Sequence, residues 1–134
     1  MPYDAERIHG ALKRLLANGL LAHLPGKEED LDILLALATA RFTGGTRYRE
    51  VEVNDVLRRW LETFCSPGGV DHVTVRRCLV DARYLRRDRA GSTYEMQQEK
   101  LGAVLADDAR HIEPASVVAE TRREREARKR SRPA

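Results

Sequence analysis

Two glycine-rich breaks, Gly44-Gly45 and Ser66-Pro67-Gly68-Gly69, cut the middle of this 134-residue chain into short pieces. Glycine tolerates positive φ and proline cannot continue a helix, so no helix runs through either break. The pieces between them carry apolar residues at helical i, i+3, i+4 spacing. Leu31, Leu34, Leu35, Ala38 and Phe42 predict a helix over about 28–42. Val53, Val56, Leu57, Trp60, Leu61 and Phe64 predict a second, with Glu50 and Glu52 in a first turn that favours negative charge. Val75, Cys78, Leu79 and Ala82 predict a third over 71–83, with Asp71 as its N-cap. Thr46 to Tyr48 reads as a short extended segment. Tyr84-Leu85-Arg86-Arg87, Asp88-Arg89-Ala90-Gly91 and Ser92-Thr93-Tyr94-Glu95-Met96 read as strand, turn, strand. Helix, short strand, helix, helix, hairpin is the connectivity of a winged helix-turn-helix domain. The expected fold is therefore mainly α, with that domain over residues 25–96.

An amphipathic helix precedes it within residues 1–24, where Ile8, Ala11, Leu12, Leu15, Leu16 and Leu20 keep the spacing and Asn18-Gly19 marks a stop. Residues 97–134 read as a helical, basic extension. Leu101, Val104 and Leu105 form a narrow apolar face near its start, and Pro114 interrupts it. The leucines Leu12, Leu15 and Leu16, with Leu101 and Leu105, suit either a homodimer seam or packing onto their own domain. Six of the seven aromatic residues lie between Phe42 and Tyr94, which places the core there.

Charge is uneven along the chain. Residues 1–69 hold 9 basic and 10 acidic side chains, a net of −1; residues 70–98 hold 6 and 4, a net of +2; residues 99–134 hold 9 and 7, again +2. The overall +3 hides this. The longest apolar stretch, Ile33 to Ala40, is well under the ~20 residues of a membrane helix. No basic segment followed by a long apolar run opens the chain, so no secretion signal is expected. Membrane-spanning, secreted, fibrous and wholly disordered classes are excluded at this level.

Catalytic and metal chemistry find little support. His9, His23, His72 and His111 are scattered, and Cys65 and Cys78 form no paired motif. The only near-cluster, Cys65, His72 and Cys78, reads as a core thiol and an exposed histidine. Thr43-Gly44-Gly45-Thr46 lacks the lysine and spacing of a phosphate loop. Neither cofactor nor metal is expected. Two unpaired cysteines suit a reducing cytoplasm.

Nucleic acid is the better-motivated ligand. In a helix-turn-helix unit the second helix presents its N-terminal residues to base edges in the major groove. Here these are His72, Thr74, Arg76 and Arg77, and arginine grips guanine bidentately. The hairpin adds Arg86, Arg87 and Arg89 for phosphate or minor-groove contact. Two structural alternatives stand beside this: Arg77 is spaced to pair with Asp81, and Arg76 to hold Glu50 or Glu52. Farther on, the span 122–132 holds seven basic and two acidic residues. Arg122, Arg123, Arg125, Arg128, Lys129 and Arg130 suit a non-specific arm on nucleic acid, or a plain solvated helix in which Glu124 and Glu126 pair with Arg128 and Arg130.

The segments Tyr48-Arg49-Glu50-Val51-Glu52-Val53-Asn54-Asp55-Val56-Leu57, Arg76-Arg77-Cys78-Leu79-Val80-Asp81, Tyr84-Leu85-Arg86-Arg87 and Gly91-Ser92-Thr93-Tyr94 resemble a small bacterial family catalogued as a domain of unknown function. The resemblance covers about residues 24–96. It implies a winged-helix fold, a cytoplasmic role linked to transcription through relatives attached to ArsR-type regulators, and no catalytic residues. It also implies that Glu50, Asn54, Arg76 and Asp81 support the fold. Ala82-Arg83 stands where the family pattern has an aromatic-glycine pair.

The expected function is double-stranded DNA binding by a transcriptional regulator, through the helix at 71–83 and the hairpin at 84–96. The alternatives are a protein-interaction adaptor on a transcription or ribosome complex, and an RNA-associated factor using residues 120–134.

Overall fold

Asp4 starts the first helix by accepting a hydrogen bond from the Arg7 amide at 2.9 Å, the N-cap expected of a short acidic side chain. The computed structural model describes residues 1–131. Helix α1 (Ala5–Leu15) is followed by α2 (Glu28–Thr39), β1 (Arg47–Arg49), α3 (Glu50–Glu62), α4 (His72–Asp81), β2 (Leu85–Arg87), β3 (Thr93–Met96), α5 (Gln98–Val104), a 3₁₀ turn (Asp107–Ala109) and α6 (Pro114–Ser131). The protein is mainly helical, with one small antiparallel sheet in the order β1-β3-β2. Among the described residues no helix is long and apolar enough to cross a membrane. Arg132, Pro133 and Ala134, the end of the basic tail, lie outside the described residues.

The register of the sheet separates its two faces. Tyr48 pairs with Tyr94, and Leu85 with Met96. Side chains alternate along a strand, so these four, with Arg87, lie on the side toward the helices, where Leu85, Tyr94 and Met96 are buried. The Tyr48 ring packs edge-on against Phe42 at 5.1 Å, and its hydroxyl accepts from the Thr43 amide at 2.8 Å. These contacts tie β1 to the end of α2.

Helix α2 is apolar over almost its whole circumference. Ile33 through Thr39 are all buried, along with the Asp30 carboxylate near its start. The one-sided stripe expected from spacing is wider in the structure because α2 is the central helix, packed by neighbours on several sides. Arg14 of α1 reaches Asp30 with two parallel hydrogen bonds of 2.8 Å.

The flanking helices share this core. Ile8, Leu12 and Leu16 join one apolar cluster with Leu57, Leu79, Leu101, Leu105 and Val117. Leu12, Leu16, Leu101 and Leu105 are at most 1% exposed. They therefore pack onto their own chain; only Leu15 of the group is partly exposed. The chain ends are also stitched by backbone: Tyr3 donates to the Val104 carbonyl at 2.8 Å and accepts from the Ala106 amide at 2.9 Å. Leu21 donates to Phe64 at 2.9 Å and accepts from Ser66 at 2.8 Å. The aromatic residues are a poor guide to the core's extent, because leucine and alanine extend it at both ends.

Candidate nucleic-acid interface

Helix α4 begins at Asp71, whose carboxylate accepts from the Val73 and Thr74 amides, both at 3.3 Å, and from the Thr74 hydroxyl at 3.1 Å. Thr74 is exposed, but its hydroxyl proton is engaged in this cap. Val75 and Leu79 are buried and seat the helix on the core.

The four α4 residues expected to meet DNA do not share one environment. Arg76 turns toward α3, donating to the Asn54 side-chain oxygen and lying 3.4 Å from Glu50, with its side chain 12% exposed. Glu50 also accepts from the Tyr94 hydroxyl at 3.0 Å. Arg76 thus joins α3, α4 and β3, in keeping with the Glu50 alternative. Arg77 is exposed, and among the described residues it forms no ion pair with Asp81. His72 is half-buried and lies 3.9 Å from Asp71. It lines a cavity of about 460 Å³ with Cys65. Burial pushes the Cys65 thiol up to about 11, so it stays protonated and unreactive at neutral pH. Among the described residues no group of three or more histidine, cysteine or acidic side chains is placed to hold a metal.

The end of α4 has a feature that spacing does not reveal. Tyr84 donates to the Leu79 carbonyl at 2.9 Å and Arg83 to Val80 at 3.1 Å, the Schellman pattern that calls for a left-handed residue between helix and strand. That residue is Arg83, at φ 68°, where a β-carbon is disfavoured by about 1 kcal/mol. Arg83→Gly is expected to raise the unfolding free energy by up to about 1 kcal/mol in a denaturant titration. An unchanged or lowered midpoint would show that the arginine side chain offsets its backbone strain.

The hairpin turn is organised by Asp88. Its carboxylate accepts from the Ser92 amide at 2.7 Å, the Thr93 amide at 3.2 Å and both hydroxyls at 3.0 Å. These bonds, led by the Thr93 amide, hold the carboxyl down at about 2. The folded value lies below the ordinary 3.8, so the bracing is complete above the ordinary range and fades as pH falls toward about 2. Protection of the Ser92 and Thr93 amides, taken against their intrinsic exchange rates, should fall over that window, and should be low at pH 7 in Asp88→Ala. Equal protection in wild type and variant would sink the assignment.

Around this turn the arginines are exposed. Arg86 and Arg89 are exposed, and Arg86 pairs with Glu95 across the strands at 3.0 Å. The Arg87 guanidinium lies 5.9 Å from the Tyr94 ring centre while remaining exposed. Arg47 sits opposite Glu95, and Arg49 opposite Thr93. The solvent side of the sheet therefore presents Arg47, Arg49 and Arg86. Sequence reading misses Arg47 and Arg49. The polar-aromatic-polar alternation of Arg47-Tyr48-Arg49 is the available signal, but only strand pairing places these arginines beside the hairpin.

The tail residues Arg122, Arg123, Arg125, Arg128, Lys129 and Arg130 lie on α6, and all six are exposed. Arg125 donates to the Ala17 carbonyl beyond the end of α1.

The model of DUF2087, a family described as an uncharacterised protein conserved in bacteria, matches residues 20–96, more than half of the chain. The chain belongs to this family. No curated protein and no solved structure matches it. The DUF2087 segment begins just before the Leu21 backbone bridge and ends with β3. It contains α2 to α4 and the whole sheet, whereas α1, α5 and α6 lie outside it.

Proposed function

We propose that this DUF2087 protein binds double-stranded DNA as a winged helix-turn-helix transcriptional regulator, with α4 as the groove-facing helix and the β2–β3 hairpin as the wing. Helix, strand, helix, helix, hairpin with the first strand against the third supports the fold reading. One observation carries the binding reading. Residues 47–49 and 83–96 hold Arg47, Arg49, Arg83, Arg86, Arg87 and Arg89 with Asp88 and Glu95, six minus two, or +4, and Arg49 also pairs with Glu52 at 3.2 Å. Both acids are already engaged, Asp88 in the turn and Glu95 with Arg86.

On α4 the reading narrows to Arg77. Arg76 is committed to Glu50 and Asn54, and Thr74 to Asp71. Phosphate contacts from sheet and hairpin then supply most of the affinity, and base discrimination is modest. The reading includes no catalytic step. It agrees with the transcription-linked role that the family resemblance implies.

A titration of labelled random duplex at several salt concentrations tests this. Six phosphate contacts give a slope of log K against log salt of about −5. R86A/R87A/R89A should weaken binding at all sequences, and Arg77→Ala should weaken it with less change in slope. No binding at about 50 mM salt sinks the reading. A protein-interaction module is the second reading, favoured by the exposed face of α4, where Arg77 stands between Asp71 and Asp81. Under it, Arg77→Ala leaves the duplex titration unchanged.

A further inference from the structure

Helix α6 sorts its charges by face. On the side toward α1, His9 Nε2 meets Glu120 at 2.9 Å, and Lys13 Nζ meets Glu124 at 3.0 Å and Glu120 at 3.6 Å. These contacts step forward together along both helices, so α1 and α6 run parallel, side by side. The internal pairings that would have neutralised the helix do not form among the described residues: Glu124 is taken by Lys13, and no ion pair joins Glu126 to Arg130.

The opposite face is what remains. At about 100° per residue, Arg122, Arg123, Lys129 and Arg130 share the arc away from α1, with Glu126 between the two pairs. All five are exposed. A rise of about 1.5 Å per residue sets the two basic pairs about 10 Å apart. That face carries no large apolar side chain, so neither a lipid interior nor an apolar groove is its complement. A rigid, regularly charged polyanion is.

We propose that the outward face of α6 is a second DNA-backbone contact, separate from α4 and the hairpin, and that His9 and Lys13 are positioning residues that keep Glu120 and Glu124 turned away from the phosphates. The proposal rests on the DNA reading only for the class of ligand; its residues are different. Because α6 makes no base-directed contact, it extends the footprint on the duplex without adding sequence preference.

The test uses the full chain, a duplex of about one helical turn and one of about three turns. Wild type should prefer the longer duplex by about tenfold beyond the ratio of available sites. R122Q/R123Q/K129Q/R130Q should lose that preference and about 3.6 from the salt slope, at roughly 0.9 per contact. Glu126→Gln should tighten binding about twofold, since it removes a like charge from the phosphates. Lys13→Gln should weaken binding about threefold with helix content unchanged by circular dichroism, an effect that a purely structural role would not place on the salt slope. If the fourfold variant binds as wild type does while R86A/R87A/R89A loses binding, the α6 contact is overturned and the hairpin reading stands. The reverse pattern upholds α6 and overturns the hairpin. No binding by wild type overturns both.

Discussion

Arg76→Ala is expected to lower the unfolding free energy by about 2 kcal/mol, while Arg77→Ala, one position along, stays within about 0.5 kcal/mol of wild type. The neighbours have similar sequence credentials and opposite surroundings. The Arg76 side chain is 12% exposed and is held between Asn54 and Glu50. Removing it leaves Glu50, which also serves the Tyr94 hydroxyl, without its cation. Breaking a fully buried pair costs about 3–5 kcal/mol. Glu50 is 48% exposed, so water recovers some of that and about 2 kcal/mol remains. Arg76→Lys keeps the charge but not the planar fork that reaches two partners, so an intermediate loss is expected. Denaturant midpoints with unchanged slopes are the measurement. An Arg76→Ala protein as stable as wild type would show that the network does not hold the fold together.

Arg14→Ala should lower the thermal midpoint by roughly 10 °C, and Asp30→Asn in that background should restore some of it. The asymmetry comes from exposure. The Asp30 side chain is 4% exposed and Arg14 55%. Deleting the arginine strands a buried carboxylate, whereas the arginine can always turn to water. The hydrogen bonds from Arg14 hold the Asp30 carboxyl below its ordinary 3.8 against the opposing effect of burial. In wild type this stabilisation is present above the ordinary value and is lost as pH falls through the lower folded one. Without Arg14 only burial acts strongly, so the carboxyl titrates higher and the variant gains stability on mild acidification. Parallel pH–stability curves for the two proteins would contradict this.

Local order is largely legible in the sequence. Glycine and proline breaks, apolar spacing and the Asp71 cap place α2, α3, α4 and the hairpin within a few residues of their ends, because each depends on contacts within one or two turns. The hairpin turn is legible too, although the reach of Asp88 to Thr93 is not. The interface is less legible. Spacing alone gives Arg76 and Arg77 the same groove-facing place, and only the family resemblance sets Arg76 apart; the sequence misses Arg47 and Arg49, and holds Glu124 and Glu126 as open partners for Arg128 and Arg130. These assignments all turn on which residue, many positions away, stands opposite.

What the sequence by itself determined is the helix–strand order, a basic stretch at each of two places, and membership in a bacterial family over its central segment. The tertiary structure decided which charges are already engaged. It put Arg76 on Glu50, Arg14 on Asp30, and Glu120 and Glu124 on α1, leaving the sheet, the hairpin and one face of α6 with an excess of cations. It also drew the flanking leucines into the same core as the family segment. The reason is physical: capping, turn and periodicity signals act over a few residues, whereas the fate of a long charged side chain or an apolar helix face depends on what the rest of the chain brings within a few ångströms of it.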